Sequence, residues 1–324
     1  MLVIDDEPES RAYRMWLVAD VKEEETAIIM PHPEVPDDNR QTQGPSPESR
    51  ARFLCWNLIE WTKVVLALKP VPEENFPFAH EAMLALDVRK QTLFSLIDTA
   101  AMFRALVEVP DAIPTENNKV QWTAFVRDHC DWSGADRVSV PVLLKRIEHR
   151  LIDPKKSKFP PPEKSGVVKD LLDYLEGVNH RFADLGREIR SSEIDPKLDD
   201  MAEFMTIAPV ELLIRDTTLV NVLYALRNSR VHAMRTPGDA VEVWSTIEDE
   251  PSYQGSQASR NYIVSPTELH LVFPASFVAR LLRAGIDSLR SFLVAKRVDP
   301  YDSLRDSSAW ELREFTPLKA WATP

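Results

Sequence analysis

The sequence predicts a mainly α-helical protein, a helical bundle carrying a small β-hairpin or sheet near residues 241–273, and three observations point that way. Apolar residues recur at steps of three and four through long segments, the spacing that lines one face of a helix. Alternation at the strand period is confined to short runs. With 25 Pro against 8 Gly in 324 residues, the chain also lacks the Gly-rich phosphate cradles of nucleotide-binding α/β folds.

Taken in order, residues 1–45 hold two short apolar runs, 1–4 and 27–30, then a polar, Pro-containing tract from 31 to 45, and so predict short strands and a linker. The opening Leu2-Val3-Ile4-Asp5-Asp6-Glu7-Pro8 resembles the first strand and acidic pair of a response-regulator receiver domain. The later buried strand with a phospho-accepting Asp is missing, and a surface turn is the expectation. Residues 46–74 read as an N-terminal helix, with Ser46 as cap, Pro47 in the first turn and Leu54, Leu58, Trp61, Val65 and Leu68 as its stripe. A second long helix is expected over 78–107, through Leu84, Val88, Leu93, Ile97, Ala101 and Leu106, with Pro110 and Pro114 marking its exit.

Asn118 caps a short helix containing Val120, Phe125 and Val126, and Val140-Pro141 starts another that reaches about Leu151. The Lys- and Pro-rich stretch 153–164 reads as an exposed connector, and Leu171, Leu172, Leu175 and Val178 imply a helix continuing towards Ile189. Next comes a helix over 217–235, with Asp216 or Thr217 as its cap, ended by Thr236-Pro237-Gly238. Strands are expected at Val241-Glu242-Val243-Trp244, at 262–264 and at 269–273, around a turn near Gly255. A last helix spans 275–295. The tail from 301 to 324 is Pro-, Asp- and Ser-rich, with Trp310 and Trp321 as candidate anchors. Trp56, Trp61 and Trp122 fall on apolar faces and are assigned to the core.

Apolar residues at 44% and charged residues at 28% are the ordinary globular mixture. The net charge of −12 excludes a surface that binds nucleic acid everywhere, so any such site must be local and basic. Cys55 and Cys130 lie far apart within helical patterns, which predicts neither a disulfide framework nor a thiolate metal site. No stretch approaches the roughly 18 apolar residues of a membrane span, and Asp5, Asp6 and Glu7 stand where a signal peptide would be basic. A cytoplasmic protein without membrane contact is therefore expected. His129, His149, His180 and His270 do not converge by spacing, so neither a metal nor a cofactor is expected.

One segment stands out. In Leu226-Arg227-Asn228-Ser229-Arg230-Val231-His232, a polar and basic turn closes a helix whose earlier part, with Leu219, Leu223 and Leu226 in line, is apolar. Cations favour helix C-termini because the free carbonyls there carry partial negative charge, and Arg227, Arg230, His232 and Arg235 suit that role on its own. The order of residues goes further. An Arg followed by Asn, four intervening residues and then a His resembles the active motif of HEPN-family ribonucleases. Upstream, Ile97-Asp98-Thr99-Ala100, Trp122-Thr123-Ala124-Phe125-Val126 and Val138-Ser139-Val140-Pro141 are similar in order to the helices of that family.

The resemblance implies a HEPN-like helical domain over about residues 75–300, with a long insertion at 153–210. It also implies a metal-independent endoribonuclease, of the kind found in toxin or antiviral systems, that acts on RNA as a homodimer and can have a cognate antitoxin or regulatory protein. Arg227, His232 and Asn228 would be catalytic, and Arg230 and Arg235 would bind RNA. The chemistry suits these residue types. Attack of a ribose 2′-hydroxyl on phosphorus needs a proton acceptor and donor, for which His has the right intrinsic pKa. It also needs a fixed cation to stabilise phosphate charge, which an Arg fork supplies. Residues five apart lie roughly 140° apart around a helix, so Arg227 and His232 would meet one phosphate only with a second copy of the helix nearby. Arg215, Arg280 and Arg283 would add local positive field. The alternative is a non-catalytic helical module of the same type that binds RNA or a protein partner.

Overall fold

Ser46 and Pro47 start the first helix as their chemistry dictates: the Ser49 amide donates to Ser46 Oγ at 3.2 Å, and Pro47 occupies the first turn of α1 (Pro47–Ala67). The computed structural model describes residues 46–67, 80–108, 118–153, 158–183, 187–233, 246–255 and 269–301; for 80–87, 183, 230–233 and 255 it describes the backbone alone. The strands, linker and receiver-like turn expected in residues 1–45 lie outside the described residues. So do the strands expected at 241–244 and 262–264, the Thr236-Pro237-Gly238 stop, and the tail with Trp310 and Trp321.

The helices run in order: α2 (His80–Glu108), α3 (Asn118–His129), α4 (Val140–Ile152), α5 (Gly166–Ala183), the short α6 (Ser191–Ile194), α7 (Ala208–Asp216), α8 (Leu219–Ala233) and α9 (Ala275–Lys296). Two 3₁₀ turns, Pro162–Lys164 and Leu198–Phe204, link them. The fold is mainly α with one small three-stranded antiparallel sheet. α2 lies at the centre, packed against α1, α3, α8 and α9, and α3 also touches α8 and α9. α4, α5, α7 and the sheet form a flank, joined to the bundle through one continuous apolar core that includes Phe94, Ile97, Trp122, Leu143, Leu171, Leu223 and Phe277. Burial of such side chains, at roughly 1.5–3 kcal/mol each, is what offsets chain entropy here.

The sheet differs from expectation in its membership. β3 (Leu269–Val272) falls within the predicted strand, but its partner β2 (Ser252–Gly255) occupies the expected turn, pairing Ser252 with Val272 and Tyr253 with Leu271. The third strand, β1 (Ile189–Arg190), pairs Ile189 with Tyr253. That corrects the helix expected to continue towards Ile189: α5 is described to Ala183, and Ile189 is buried in the sheet instead, its backbone extended to pair with Tyr253.

Two further expectations change. Trp122 is fully buried, but Trp56 and Trp61 are 45% and 58% exposed, because the core side of α1 is taken by Ala51, Leu54, Cys55, Leu58, Thr62 and Val65. At 100° per residue Trp56 faces away from that arc and Trp61 sits at its rim. Neither expected cap of α8 caps it. The Thr217 hydroxyl donates back to the Leu213 and Ile214 carbonyls of α7, and the Asp216 carboxylate accepts from Lys119 Nζ at 3.0 Å.

Candidate active site at the end of helix α8

α8 is held as its apolar line requires. Leu219, Val220, Val222, Leu223 and Leu226 are buried, and the amides of Leu219 and Val220 donate to the Arg137 and Ala135 carbonyls, fixing where the helix begins. Two turns on, the same buried face presents Arg227, whose side chain runs towards α2. Its Nε donates to both carboxylate oxygens of Asp98 at 3.0 Å, and Nη2 donates to Oδ2 of the same group. The guanidinium carbon also lies 5.6 Å from the Tyr224 ring centroid, one turn back along α8. Tyr224 in turn meets Trp122 of α3, ring centroids 5.5 Å apart, so three helices converge on this point.

Arg227 is only 4% exposed, and its Nη1 has no hydrogen-bond partner among the described residues. Asp98 retains more contact with solvent, its side chain being 24% exposed. Desolvating a guanidinium is costly, and the bidentate carboxylate is what offsets it. Asn228, next in sequence, is exposed. Arg230 and His232 are placed by the α8 backbone, and Arg235 lies outside the described residues. Thus α8 brings Arg227, Asn228, Arg230 and His232 onto its final turns, with Arg227 turned inward and Asn228 outward.

Asp98 belongs to the upstream resemblance, which gives it no role. Its signal in the sequence is faint: a lone carboxylate between Ile97 and Ala100, both fully buried. Such a residue in an apolar stretch of helix calls for a partner.

The additional positive field expected around α8 is largely committed elsewhere. Arg215 pairs with Glu211 one turn earlier on α7, with Nε at 2.9 Å from Oε1, the ordinary i,i+4 arrangement. Arg280 donates to the Asp249 carbonyl, while Arg283 is exposed.

A second polar cluster has no signature in the sequence. Tyr253 of β2 is fully buried, and its hydroxyl lies 2.7 Å from both Ser139 Oγ and Asp195 Oδ2. Asp195 Oδ1 accepts from the Val140 amide at 3.1 Å, and its carbonyl accepts from Arg137 Nη1 at 2.6 Å. Burial pushes the Asp195 carboxyl up to about 8, against the pull of the Tyr253 and Val140 hydrogen bonds and of Arg137. Tyr253 has one hydroxyl proton for two acceptors, so the chain closes only if Ser139 or a protonated Asp195 supplies the other. All three residues are sealed from water, which suits a clasp joining the sheet to the start of α4 and not a reaction site.

Among the described residues no group of three or more His, Cys, Asp or Glu side chains is placed to hold a metal ion, and no helix is long and apolar enough to cross a membrane. Compared with known proteins, the chain matches no family model, no curated protein and no solved structure.

Proposed function

We propose that the chain is a metal-independent endoribonuclease of HEPN type, acting as a homodimer in which the ends of two α8 helices form one cleft. The observation that carries this reading is the Asp98–Arg227 pair. It spends a bidentate carboxylate on holding one arginine at the helix end that also bears Asn228 and His232. Replacing a buried ion pair by apolar residues is often neutral or stabilising, so stability alone does not require a pair at this place. In the proposed reaction His232 exchanges protons with the ribose 2′-hydroxyl and the leaving oxygen. Asn228, exposed and one turn before it, orients the imidazole or the phosphate. Arg227 supplies fixed positive charge beneath them, and Arg230 and Arg235 contact the RNA backbone. A toxin or antiviral role, with a cognate inhibitor, would accompany such an activity.

One observation favours the second reading, a non-catalytic module of the same type that binds RNA or a protein. Arg227 is almost wholly buried and already neutralised by Asp98, as a purely structural fastener would be. Incubation of the purified protein with cellular RNA in EDTA separates the two. Asn228→Ala, His232→Ala and Arg227→Lys should each abolish or strongly reduce cleavage while far-UV circular dichroism stays native. Absence of cleavage by the wild type across varied salt and pH would favour the binding module.

A further inference from the structure

The outward side of α1 is aromatic. Phe53 and Trp56 are 50% and 45% exposed and stacked on each other, with ring centroids 5.9 Å apart and planes 26° from parallel. Val64 continues the same line and Trp61 borders it, both exposed, so the face extends roughly 16 Å along the helix, eleven residues at 1.5 Å each. Single exposed apolar residues are ordinary, but an exposed row of three aromatics and a valine marks a surface that something covers.

The position of the chain's exit identifies the occupant. After α9, Arg297 turns the backbone through a left-handed conformation, φ 53°, and Asp299 accepts from Arg50 of α1 at 2.6 Å. Tyr301 packs edge-on against Phe103 of α2, ring centroids 6.3 Å apart. Arg50 and Phe53 are three residues apart and therefore neighbours on one side of α1. The last described residue thus leaves the core at the flank of the aromatic face.

Beyond Tyr301 the chain continues through residues 302–324, outside the described residues, and these include Ala309-Trp310-Glu311-Leu312-Arg313-Glu314-Phe315-Thr316-Pro317-Leu318-Lys319-Ala320-Trp321. Five large apolar side chains fall in this stretch, and the first is nine residues beyond Tyr301. Nine residues reach at most about 30 Å, and twenty reach about twice that, so the whole stretch can lie against a 16 Å face. The N-terminal segment competes less well. Its Trp16 and Leu17 are separated from α1 by the polar, Pro-containing tract 31–45, whereas the C-terminal stretch is leashed at the face by two fixed side chains. A short leash raises the effective concentration of an intramolecular partner to the millimolar range.

We propose that residues 310–321 of this same chain dock on the outer face of α1, over Phe53, Trp56, Trp61 and Val64, with their tryptophans as anchors. The test places a photo-crosslinking benzoyl-phenylalanine at position 53 of the full chain, irradiates it, and separates monomer-mass from dimer-mass products before peptide mapping. The expected product has monomer mass and links position 53 to a peptide within 306–324. Adding Trp310→Ala and Trp321→Ala, both outside the described residues, should lower the yield of that product by about tenfold. Four results would overturn the proposal: a link carried in a dimer-mass product, a link to residues 1–45, no link to the tail, or an undiminished yield in the double variant. The first of these would identify a second copy as the occupant.

Discussion

Removing Asp98 should cost more than removing its partner, although both changes break the same ion pair. In Asp98→Ala the Arg227 guanidinium, with a side chain only 5% exposed, is left charged with no bidentate acceptor and with Nη1 still unpartnered. Loss of one member of a buried pair typically costs about 3–5 kcal/mol. Because Asp98 itself is 24% exposed and water can enter where it stood, the low end of that range, about 3 kcal/mol, is expected. In Arg227→Met the stem is replaced by an apolar chain of similar length, while the Asp98 carboxylate, 24% exposed, keeps its access to solvent, so the loss should be about 1–2 kcal/mol. Urea unfolding at neutral pH, followed by circular dichroism and analysed with a common slope, measures both. The double variant Asp98→Ala, Arg227→Met should recover most of the larger loss. Equal costs below about 1 kcal/mol in both single variants, or a larger loss for Arg227→Met, would refute the claim that desolvation of the guanidinium dominates this site.

Three other outcomes concern buried groups. Gly285 on α9 has room for no more than a hydrogen: an added Cβ would sit 2.9 Å from Phe125 Cε1 and 3.0 Å from Cys130 Sγ. Gly285→Ala should therefore destabilise by about 1–3 kcal/mol in urea titration, despite alanine's better helix propensity, and a gain in stability would refute the close packing. Asp195 holds its proton up to about 8 in the folded protein but to about 3.8 in the unfolded chain, so the folded state binds the extra proton between those values. The stability this supplies is complete below pH 4 and is lost as pH rises through 8; Asp195→Asn should flatten the decline between pH 5 and 8, and parallel slopes in the two proteins would count against it. Finally, burial pushes the Cys55 thiol up to about 12 and the fully enclosed Cys130 thiol upward as well. Neither should react with a disulfide reagent in the native protein at pH 8, and both should react in denaturant.

How much of the fold could be read in advance depended on which interactions were local. Helix starts set by one or two residues were legible at Ser46-Pro47 and at Val140-Pro141, while the cap of the second, Ser139, whose Oγ accepts from the Val142 amide at 3.4 Å, was not singled out. Spacing also identified the buried line of α8, since Leu219, Leu223 and Leu226 share a face whatever surrounds them. The sheet was legible only where an apolar run stood by itself, at β3. β1 and β2 take their structure from pairing across about 60 residues, and two residues such as Ile189 and Arg190 carry no strand signal of their own. The α1 tryptophans failed for a related reason. A stripe predicts which residues can face a core, but the buried arc includes the small Ala51, Cys55 and Thr62 beside Leu54, Leu58 and Val65, which leaves both tryptophans outside it.

The site shows the same division between local and distant causes. That Arg227, Asn228 and His232 crowd one helix end is written in their spacing. The direction of Arg227 is not, because it depends on Asp98, 129 residues away. A cation two turns before the end of α8 could equally have faced solvent, where the C-terminal carbonyls would have stabilised it by a few tenths of a kcal/mol. It faces inward because a carboxylate waits on α2 and the Tyr224 ring flanks it. This division changes what a catalytic reading demands of the arginine. If RNA is cleaved here, Arg227 acts from beneath the cleft through a charge whose position Asp98 sets, and the groups exposed to the phosphate are Asn228 and residues beyond it. Asp98→Asn should then keep the side chain's size but replace one of the two acceptors with an NH2 donor and remove the charge, weakening the hold on Arg227 and lowering the cleavage rate more than RNA affinity. A variant that lost affinity and rate in equal measure would instead give Arg227 a direct binding role.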